Sequence, residues 1–156
     1  MTRQKYEIWI DTNVIMYFLR TNADHSPSAL ALVQKAGEGA FTLKISPVVI
    51  YECVFVLMGK NFRLTKEQVK TALISFINLK GIECEEKSVV EETLNHYSRK
   101  KIDFVDAYLA AHARSVTPAN IVTVNIKDFK NLDVSAQTPE EIIRKLKESE
   151  DSEPEK

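Results

Sequence analysis

The chain has 156 residues, of which 44% are hydrophobic and 28% are charged, with 4 Gly, 5 Pro and 2 Cys. This length fits one compact domain, and the composition excludes collagen-like, disulfide-stabilised and wholly disordered proteins. The longest apolar runs, 14–19 and 53–58, have six residues each, whereas a membrane-spanning helix needs about 18. No apolar stretch typical of a secretory signal follows the N-terminus. We therefore expect a cytoplasmic protein with no membrane partner.

The formal net charge of −1 is unevenly distributed, because residues 148–156 contain five acidic residues and one Lys. That segment has no apolar residue to offset the entropy of ordering it, so we expect a disordered tail. Residues 1–147 are then predicted to form a single folded domain. Cys53 and Cys84 lack the spacing of a zinc site or a disulfide framework, and we expect both to be buried thiols.

Strand-like and helical segments alternate along the chain, and capping residues mark the start of most helices. Ser26 and Ser46 each precede a proline, a pattern typical of helix N-termini. Thr65, Ser88 and Thr138 each open a predicted capping box. In chain order the predicted elements are strand 6–10, helix 14–19, helix 26–35, strand 41–45, helix 48–58, a helix from 65 to 79, strand 82–86, a helix from 88 to 99, helix 104–114, strand 121–124, a short helical turn 127–130, strand 132–134 and a helix from 138 to 147.

This alternation predicts an α/β fold, a three-layer sandwich with a central, mostly parallel sheet and helices on both faces. Ligands of such sheets bind at the carboxyl ends of the strands. Candidate functional residues are therefore sought where the predicted strands end.

Two acidic residues of the first half stand in apolar surroundings. Asp11 follows the first predicted strand, where it either caps the next helix or binds a ligand, and one carboxylate can do both. Glu52 is the only residue outside the apolar set in the predicted helix 48–58. Burial of an ionised carboxylate is costly without a cation or a proton. The alternative is that Glu52 lies at a helix edge and reaches solvent or a basic side chain.

Three acidic residues of the second half show a similar pattern. Asp103 precedes the predicted helix 104–114 and is interpreted as its N-cap. Asp106 is the only charge in the apolar run 104–111, which favours a functional role over a purely structural one. Asp128 follows the predicted strand 121–124 among polar neighbours and, taken alone, is a loop residue.

Carboxylates without histidine or thiolate ligands favour a hard divalent cation, Mg²⁺ or Mn²⁺. Such a cation assists phosphoryl chemistry by acidifying a water molecule and by neutralising charge on a phosphoryl oxygen. The three histidines, His25, His96 and His112, have no ligand-like spacing and are given no role. The acidic set therefore points to the hydrolysis of phosphodiesters.

Four short stretches carry a resemblance to a known family: WIDTNVI at 9–15, Glu52, DFVDAYLAAHA at 103–113, and VTVNIKDF at 122–129. Together they make the chain similar to PIN-domain proteins, and most closely to the single-domain ribonuclease toxins of VapBC-type toxin–antitoxin pairs.

The resemblance implies that Asp11, Glu52 and Asp106 are catalytic metal ligands for Mg²⁺ or Mn²⁺, supported by Thr12 and Asn13. For the fourth acid, some members carry an Asp where this chain has Asn125, and others carry the acid at the position of Asp128. The resemblance also implies a metal-dependent endoribonuclease that acts on RNA, forms a homodimer and is blocked by an antitoxin protein. Lys127 and Lys130 are candidates for binding the RNA backbone. The basic run 99–101 is a further candidate, but it is interpreted first as a solvated helix end that interacts favourably with the helix dipole.

Two other functions remain open at this point. The first is a non-catalytic module of the same fold that binds RNA or protein, and Asn125 favours it because an amide supplies no negative charge. The second is another acid-rich phosphoryl-transfer fold, such as a haloacid-dehalogenase-like phosphatase or a response-regulator receiver. The sequence Asp-Thr-Asn at 11–13, in place of Asp-x-Asp, argues against that class.

Overall fold

The computed structural model describes residues 6–20, 24–116 and 118–152. The chain divides into two compact units, residues 1–100 and 101–156. Both units contain parallel strands connected through helices, so the predicted α/β fold class with a parallel sheet is confirmed. The assignment of residues 1–147 to one domain stays a prediction. None of the helices in the described ranges is both long enough and apolar enough to span a membrane.

The first unit is built on a three-stranded parallel sheet of order β1-β2-β3. Its strands are β1 (Glu7–Trp9), β2 (Thr42–Ile45) and β3 (Ile82–Cys84). Five helices connect or follow these strands: α1 (Thr12–Leu19), α2 (Ser26–Gly37), α3 (Pro47–Met58), α4 (Lys66–Ile77) and α5 (Lys87–Arg99).

The two faces of this sheet differ in burial, because successive side chains of a strand point to opposite faces. Leu43 and Ile45 of β2 are fully buried. Lys44, which lies between them, has its Nζ 3.2 Å from a carboxylate oxygen of Glu83 on β3. Burial of the apolar face against helices stabilises the unit, since each buried aliphatic side chain contributes about 1.5–3 kcal/mol.

The second unit contains α6 (Phe104–Ser115), β4 (Asn120–Val122), a short 3₁₀ helix (Ile126–Phe129), β5 (Ser135–Gln137) and α7 (Pro139–Glu150). β4 and β5 pair in parallel. A small apolar core includes Ala107 and Ala110 of α6, Ile121 of β4, Phe129 of the 3₁₀ helix, and Leu132 of the turn that follows it.

Several predicted helix starts are confirmed by their hydrogen bonds. Thr65 and Thr138 both form complete capping boxes, with Gln68 and Glu141 as the respective partners. Ser46 accepts a hydrogen bond from the backbone N–H of Val48. These interactions are local, so the sequence alone is sufficient to predict them.

Two predicted caps are wrong. The side chain of Ser26 caps nothing; its hydroxyl donates instead to the backbone carbonyl of Arg20, and α2 begins at Ser26 itself. The predicted capping box at Ser88 is absent, because α5 already begins at Lys87, after Glu86 in the left-handed conformation with φ of 51°. In the first case the hydroxyl binds a neighbouring segment, and in the second the backbone conformation of Glu86 sets the start of the helix.

The last predicted strand, 132–134, is also wrong, because β5 begins at Ser135. Asn131 and Asp133 have φ values of 75° and 56°, and a left-handed backbone is incompatible with a strand. Leu132 is buried from within this turn, so its apolar character reflects core packing rather than strand formation.

The terminal helix α7 continues to Glu150, three residues past its predicted end at Lys147. The acidic tail predicted as disordered over 148–156 therefore begins inside a helix, and residues 151–152 form a turn. The i, i+4 pair Arg144–Glu148, with Nε and Oε1 4.0 Å apart, favours this extra turn. Residues 153–156 lie outside the described part of the chain.

Candidate functional site

Asp11 lies directly beyond the carboxyl end of β1 and is the N-cap of α1. Its backbone is extended, as is typical of a capping residue, and its Oδ1 accepts a 2.7 Å hydrogen bond from the backbone N–H of Thr12, the first residue of the helix. The side chain is nevertheless exposed. Asp11 therefore starts the helix while leaving carboxylate oxygen free for a ligand at the sheet edge.

Thr12 connects this strand end to the middle of α3. Its hydroxyl donates a 2.7 Å hydrogen bond to Oε2 of Glu52, a residue 40 positions away in the sequence. Thr12 is buried, with 5% of its surface exposed, so the donor has little access to water. One threonine thus binds two carboxylates, that of Asp11 through its amide and that of Glu52 through its hydroxyl.

Glu52 is exposed, which excludes burial among its apolar neighbours, one of the two alternatives that the sequence leaves open. Val48 and Phe55 of the same helix are 72% and 77% exposed, so the apolar sequence of α3 extends around the helix to its solvent face. The alternative, a glutamate at a helix edge that reaches solvent, describes its burial correctly. Within the described part of the chain, its hydrogen-bond partner is the Thr12 hydroxyl and no basic side chain.

The buried thiol of Cys53 lies close enough to Asp11 and Glu52 for both carboxylates to affect its pKa. Burial raises the pKa of this thiol to about 12, and the negative charges of Glu52 and Asp11 contribute in the same direction. The thiol therefore stays protonated at neutral pH in the metal-free chain. Cys53 and Cys84 are both free and buried, as the sequence predicts.

Asp11, Thr12, Asn13 and Glu52 line one cleft of about 300 Å³ in the first unit. The other lining residues, which include Arg20, Asn61 and Phe62, were not identified from the sequence. The guanidinium carbon of Arg20 lies 4.8 Å from the centroid of the Phe62 ring. No local motif joins residues 42 positions apart, so only the tertiary structure brings this pair to the cleft.

A second group of carboxylates lies within the second unit. Asp106 is in the first turn of α6, and Asp103 is in the N-cap position, although its side chain makes no capping hydrogen bond. Partial burial raises the pKa of Asp106, and the charges of Asp103 and Asp128 raise it further. The three carboxylates therefore share one electrostatic environment.

Asn125 and Asp128 are joined by the 3₁₀ helix that follows β4. The backbone N–H of Asp128 donates to the carbonyl of Asn125 at 3.0 Å, and the N–H of Asn125 donates to Oγ1 of Thr123 at 3.0 Å. Both side chains are exposed. Of the two, Asp128 is the one whose charge acts on Asp106.

The donor chemistry of the first unit fits Mg²⁺ or Mn²⁺. Mg²⁺ is usually bound by one or two carboxylates together with water and substrate phosphate, and Asp11 and Glu52 supply such a pair in one cleft. Over the three described ranges, no group of three or more His, Cys, Asp or Glu side chains is gathered as a metal centre. Asp11 and Glu52 are therefore the two carboxylates of the first unit that would hold such a cation.

A sequence model of the PIN domain family matches residues 8–135, which is most of the chain and includes all the predicted site residues. PIN domains are generally nucleases, hydrolases that act on nucleic acids, and typically use divalent metal ions. PIN nucleases bind RNA. No curated protein matches this sequence.

Proposed function

Because this chain belongs to the PIN domain family, we propose that it is a metal-dependent endoribonuclease that hydrolyses RNA phosphodiester bonds. We further propose that it is the VapC-type toxin of a toxin–antitoxin pair. The observation that carries the proposal is the hydrogen bond from Thr12 to Glu52, because it joins two of the predicted ligands, Asp11 and Glu52, at one cleft. A purely structural carboxylate pair would not need an exposed cleft at the carboxyl end of a strand.

In this proposal Asp11, Glu52 and Asp106 are the ligands of Mg²⁺ or Mn²⁺, and Asp128 is the fourth acid. When bound, the cation lowers the pKa of a water molecule and neutralises charge that develops on the phosphoryl oxygens. Thr12 holds Glu52 in position through its hydroxyl. Asn13 and Asn125 are supporting residues, able to donate hydrogen bonds but not to supply charge.

Partners follow from the same proposal. RNA is the substrate, and an antitoxin protein and a second copy of the chain are the protein partners. Val48, Tyr51 and Phe55 are exposed on α3 at spacings of three and four residues, which places them on one helix face. An exposed apolar face of this kind favours binding to another protein. Lys127 and Lys130 are exposed and are proposed to contact the RNA backbone.

The direct test is RNA cleavage in Mg²⁺ by Asp11→Asn and Glu52→Gln. Asn caps helices as well as Asp does, and the amide oxygen of Gln can still accept the hydrogen bond of Thr12, so both variants should fold. We expect each to lose at least about 100-fold in cleavage rate. Glu67→Gln is the matched control, because Glu67 is an exposed acid on α4. Undiminished cleavage by either site variant would contradict the proposal.

Thermal unfolding distinguishes the nuclease from the non-catalytic binding module. A ligand present at about 100 times its Kd stabilises the folded state by about 2.7 kcal/mol. We therefore expect Mn²⁺ to raise the melting temperature of the unmodified chain but not that of Asp11→Asn. RNA binding without cleavage and without a Mn²⁺ effect would identify the binding module instead.

A further inference from the structure

The cleft at Asp11 and Glu52 carries negative charge, and so does its proposed substrate, RNA. Two carboxylates repel a phosphodiester, and a bound divalent cation offsets that repulsion only locally. Among the described residues that line the cleft, Arg20 is the single basic one. The positive charge of its guanidinium is the feature that an RNA-binding cleft would need.

The backbone of Arg20 is held on both sides. Its N–H donates to the carbonyl of Met16 at 3.0 Å and so closes the end of α1. Its own carbonyl accepts the hydroxyl of Ser26, a buried residue at the start of α2. The side chain therefore projects from a fixed point, and the hydroxyl that the sequence assigns to a helix cap is used to set that point.

The guanidinium is held in turn by Phe62. Its central carbon lies 4.8 Å from the ring centroid, a cation–π contact. The turn that carries Phe62 is closed by the N–H groups of Phe62 and Arg63, which both donate to the carbonyl of Gly59, at 3.3 and 2.8 Å. A contact with a ring face leaves the guanidinium N–H groups available, because these donors lie in the plane of the group.

We propose that Arg20 is an RNA-binding residue that binds a backbone phosphate of the substrate in the cleft at Asp11 and Glu52. Phe62 is the residue that positions its guanidinium. The planar fork of Arg can bind two phosphate oxygens at once. Part of the entropy of ordering the side chain is already lost in the contact with Phe62. This inference rests on the proposed function, since it assumes that the cleft binds RNA.

The experiment measures the binding of a short, fluorescein-labelled single-stranded RNA of mixed sequence by anisotropy, in EDTA so that no cleavage occurs. Arg20→Gln is expected to raise Kd about tenfold. The slope of log K against log salt concentration should also become less negative by about 0.7, the contribution of one phosphate contact on a single strand. Phe62→Leu, which keeps the charge but removes the ring, is expected to raise Kd about threefold with an unchanged salt slope.

Arg63→Gln is the matched control, because Arg63 is an exposed arginine next to Phe62 that does not line the cleft. We expect its Kd to stay within about twofold of the unmodified value. Equal weakening by Arg20→Gln and Arg63→Gln would assign the effect to general charge and overturn the inference. The double variant Arg20→Gln/Phe62→Leu should bind no more weakly than Arg20→Gln, and additive losses would remove the positioning role of Phe62.

The outcomes separate this inference from the proposed function. If the unmodified chain binds and cleaves RNA and Arg20→Gln does the same with equal Kd and KM, the inference is wrong and the nuclease proposal stands. If the unmodified chain neither binds nor cleaves RNA, both are wrong. Circular dichroism checks that Arg20→Gln is folded. Should it fail to fold, Arg20→Lys replaces it, with an expected Kd between those of Arg20→Gln and the unmodified chain and an unchanged salt slope.

Discussion

Thr12 has two separate donors, and each serves a different carboxylate. The amide binds Asp11 and the buried hydroxyl binds Glu52, both at 2.7 Å. Hydrogen bonds to charged acceptors are stronger than those between neutral groups, so this residue offsets part of the repulsion between the two acids. The threonine that the resemblance gives as a supporting residue has a definite structural role in the first unit.

Replacing Thr12 by Val removes the hydroxyl while keeping the shape of the side chain. Glu52 then loses its donor, and we expect the free energy of unfolding to fall by about 1–3 kcal/mol. RNA cleavage should fall about tenfold, because Glu52 is no longer held in position. Urea unfolding and single-turnover cleavage measure the two effects. Thr12→Ser, which keeps the hydroxyl, should retain most of both properties, and an equal loss in the Ser variant would refute this role.

The thiols of Cys53 and Cys84 are expected to react slowly in the folded protein. Burial raises the pKa of Cys53 to about 12 and that of Cys84 to about 11, and nearby carboxylates contribute in both cases. Because the thiolate is the reactive form, we expect iodoacetamide at pH 8 to modify both at least about 100-fold more slowly in the native protein than in urea. Mass spectrometry locates the label. Rapid native labelling of Cys53 would show that this part of α3 is open to solvent.

The helix starts at Thr65 and Thr138 follow the predicted capping chemistry, whereas the hydroxyl of Ser26 is used elsewhere. Thr65 and Thr138 bind only within their own first turns. Ser26 instead donates its hydroxyl across the α1–α2 connection to Arg20. The hydroxyl of Ser26 therefore connects two elements, and Pro27 in the first turn is the local signal that remains for the start of α2.

Gly81 lies where two elements, α2 and β3, come so close together that no side chain fits between them. It precedes β3 with φ of +88°, and a Cβ there would overlap the backbone of Ala36 and lie 2.8 Å from the nitrogen of Gly37, at the end of α2. Its carbonyl accepts the N–H of Leu43 of β2 at 2.9 Å. Close approach of α2 to the start of β3 thus requires glycine at this position.

We expect Gly81→Ala to lower the free energy of unfolding by about 3 kcal/mol or more, because backbone on backbone overlap cannot be relieved by a rotamer change. Gly39→Ala is the matched control. Gly39 has a similar φ of +89°, but a Cβ there would meet nothing within 4 Å, so only the conformational penalty of about 1–2 kcal/mol applies. Chemical denaturation compares the two, and equal losses would show that the contact with Ala36 is unimportant.

Across the whole molecule, the proposed ligands are divided between the two compact units. Asp11 and Glu52 belong to the first, and Asp106 and Asp128 belong to the second. The family match covers both units without interruption from 8 to 135. In the second unit, burial and neighbouring acids raise the pKa of Asp106, so the ionised form of this residue lowers the stability of the metal-free protein.

This shift predicts the pH dependence of stability in EDTA. The folded-state pKa of Asp106 is raised above the ordinary value of 3.8, so stability is lost as the pH rises through the raised pKa. Asp106→Asn carries no charge at any pH. We expect the difference in melting temperature, Asp106→Asn minus the unmodified chain, to increase by about 1–3 °C between pH 3 and pH 7. RNA cleavage should be lost in this variant.

Asp133→Asn serves as the control for this pH dependence. Oδ2 of Asp133 lies 3.9 Å from Nε of Arg114, so removal of this charge should give no gain in stability at neutral pH. Calorimetry in EDTA at several pH values measures both variants. A relative melting temperature of Asp106→Asn that does not change with pH would contradict the predicted shift.

The sequence by itself determined the α/β class, most element positions and the complete capping boxes at Thr65 and Thr138, because these depend on hydrophobic periodicity and on hydrogen bonds that span a few residues. Asp11, Glu52 and Asp106 were also proposed from the sequence, because a carboxylate next to or within an apolar run is unusual. Asp128 and Thr12 were proposed because the family pattern marks them. Only the tertiary structure decided that Glu52 is exposed and bound to Thr12, and that Arg20 meets Phe62 in the same cleft. Those contacts join residues 40 or more positions apart, and no local propensity encodes which distant side chains a folded chain brings together.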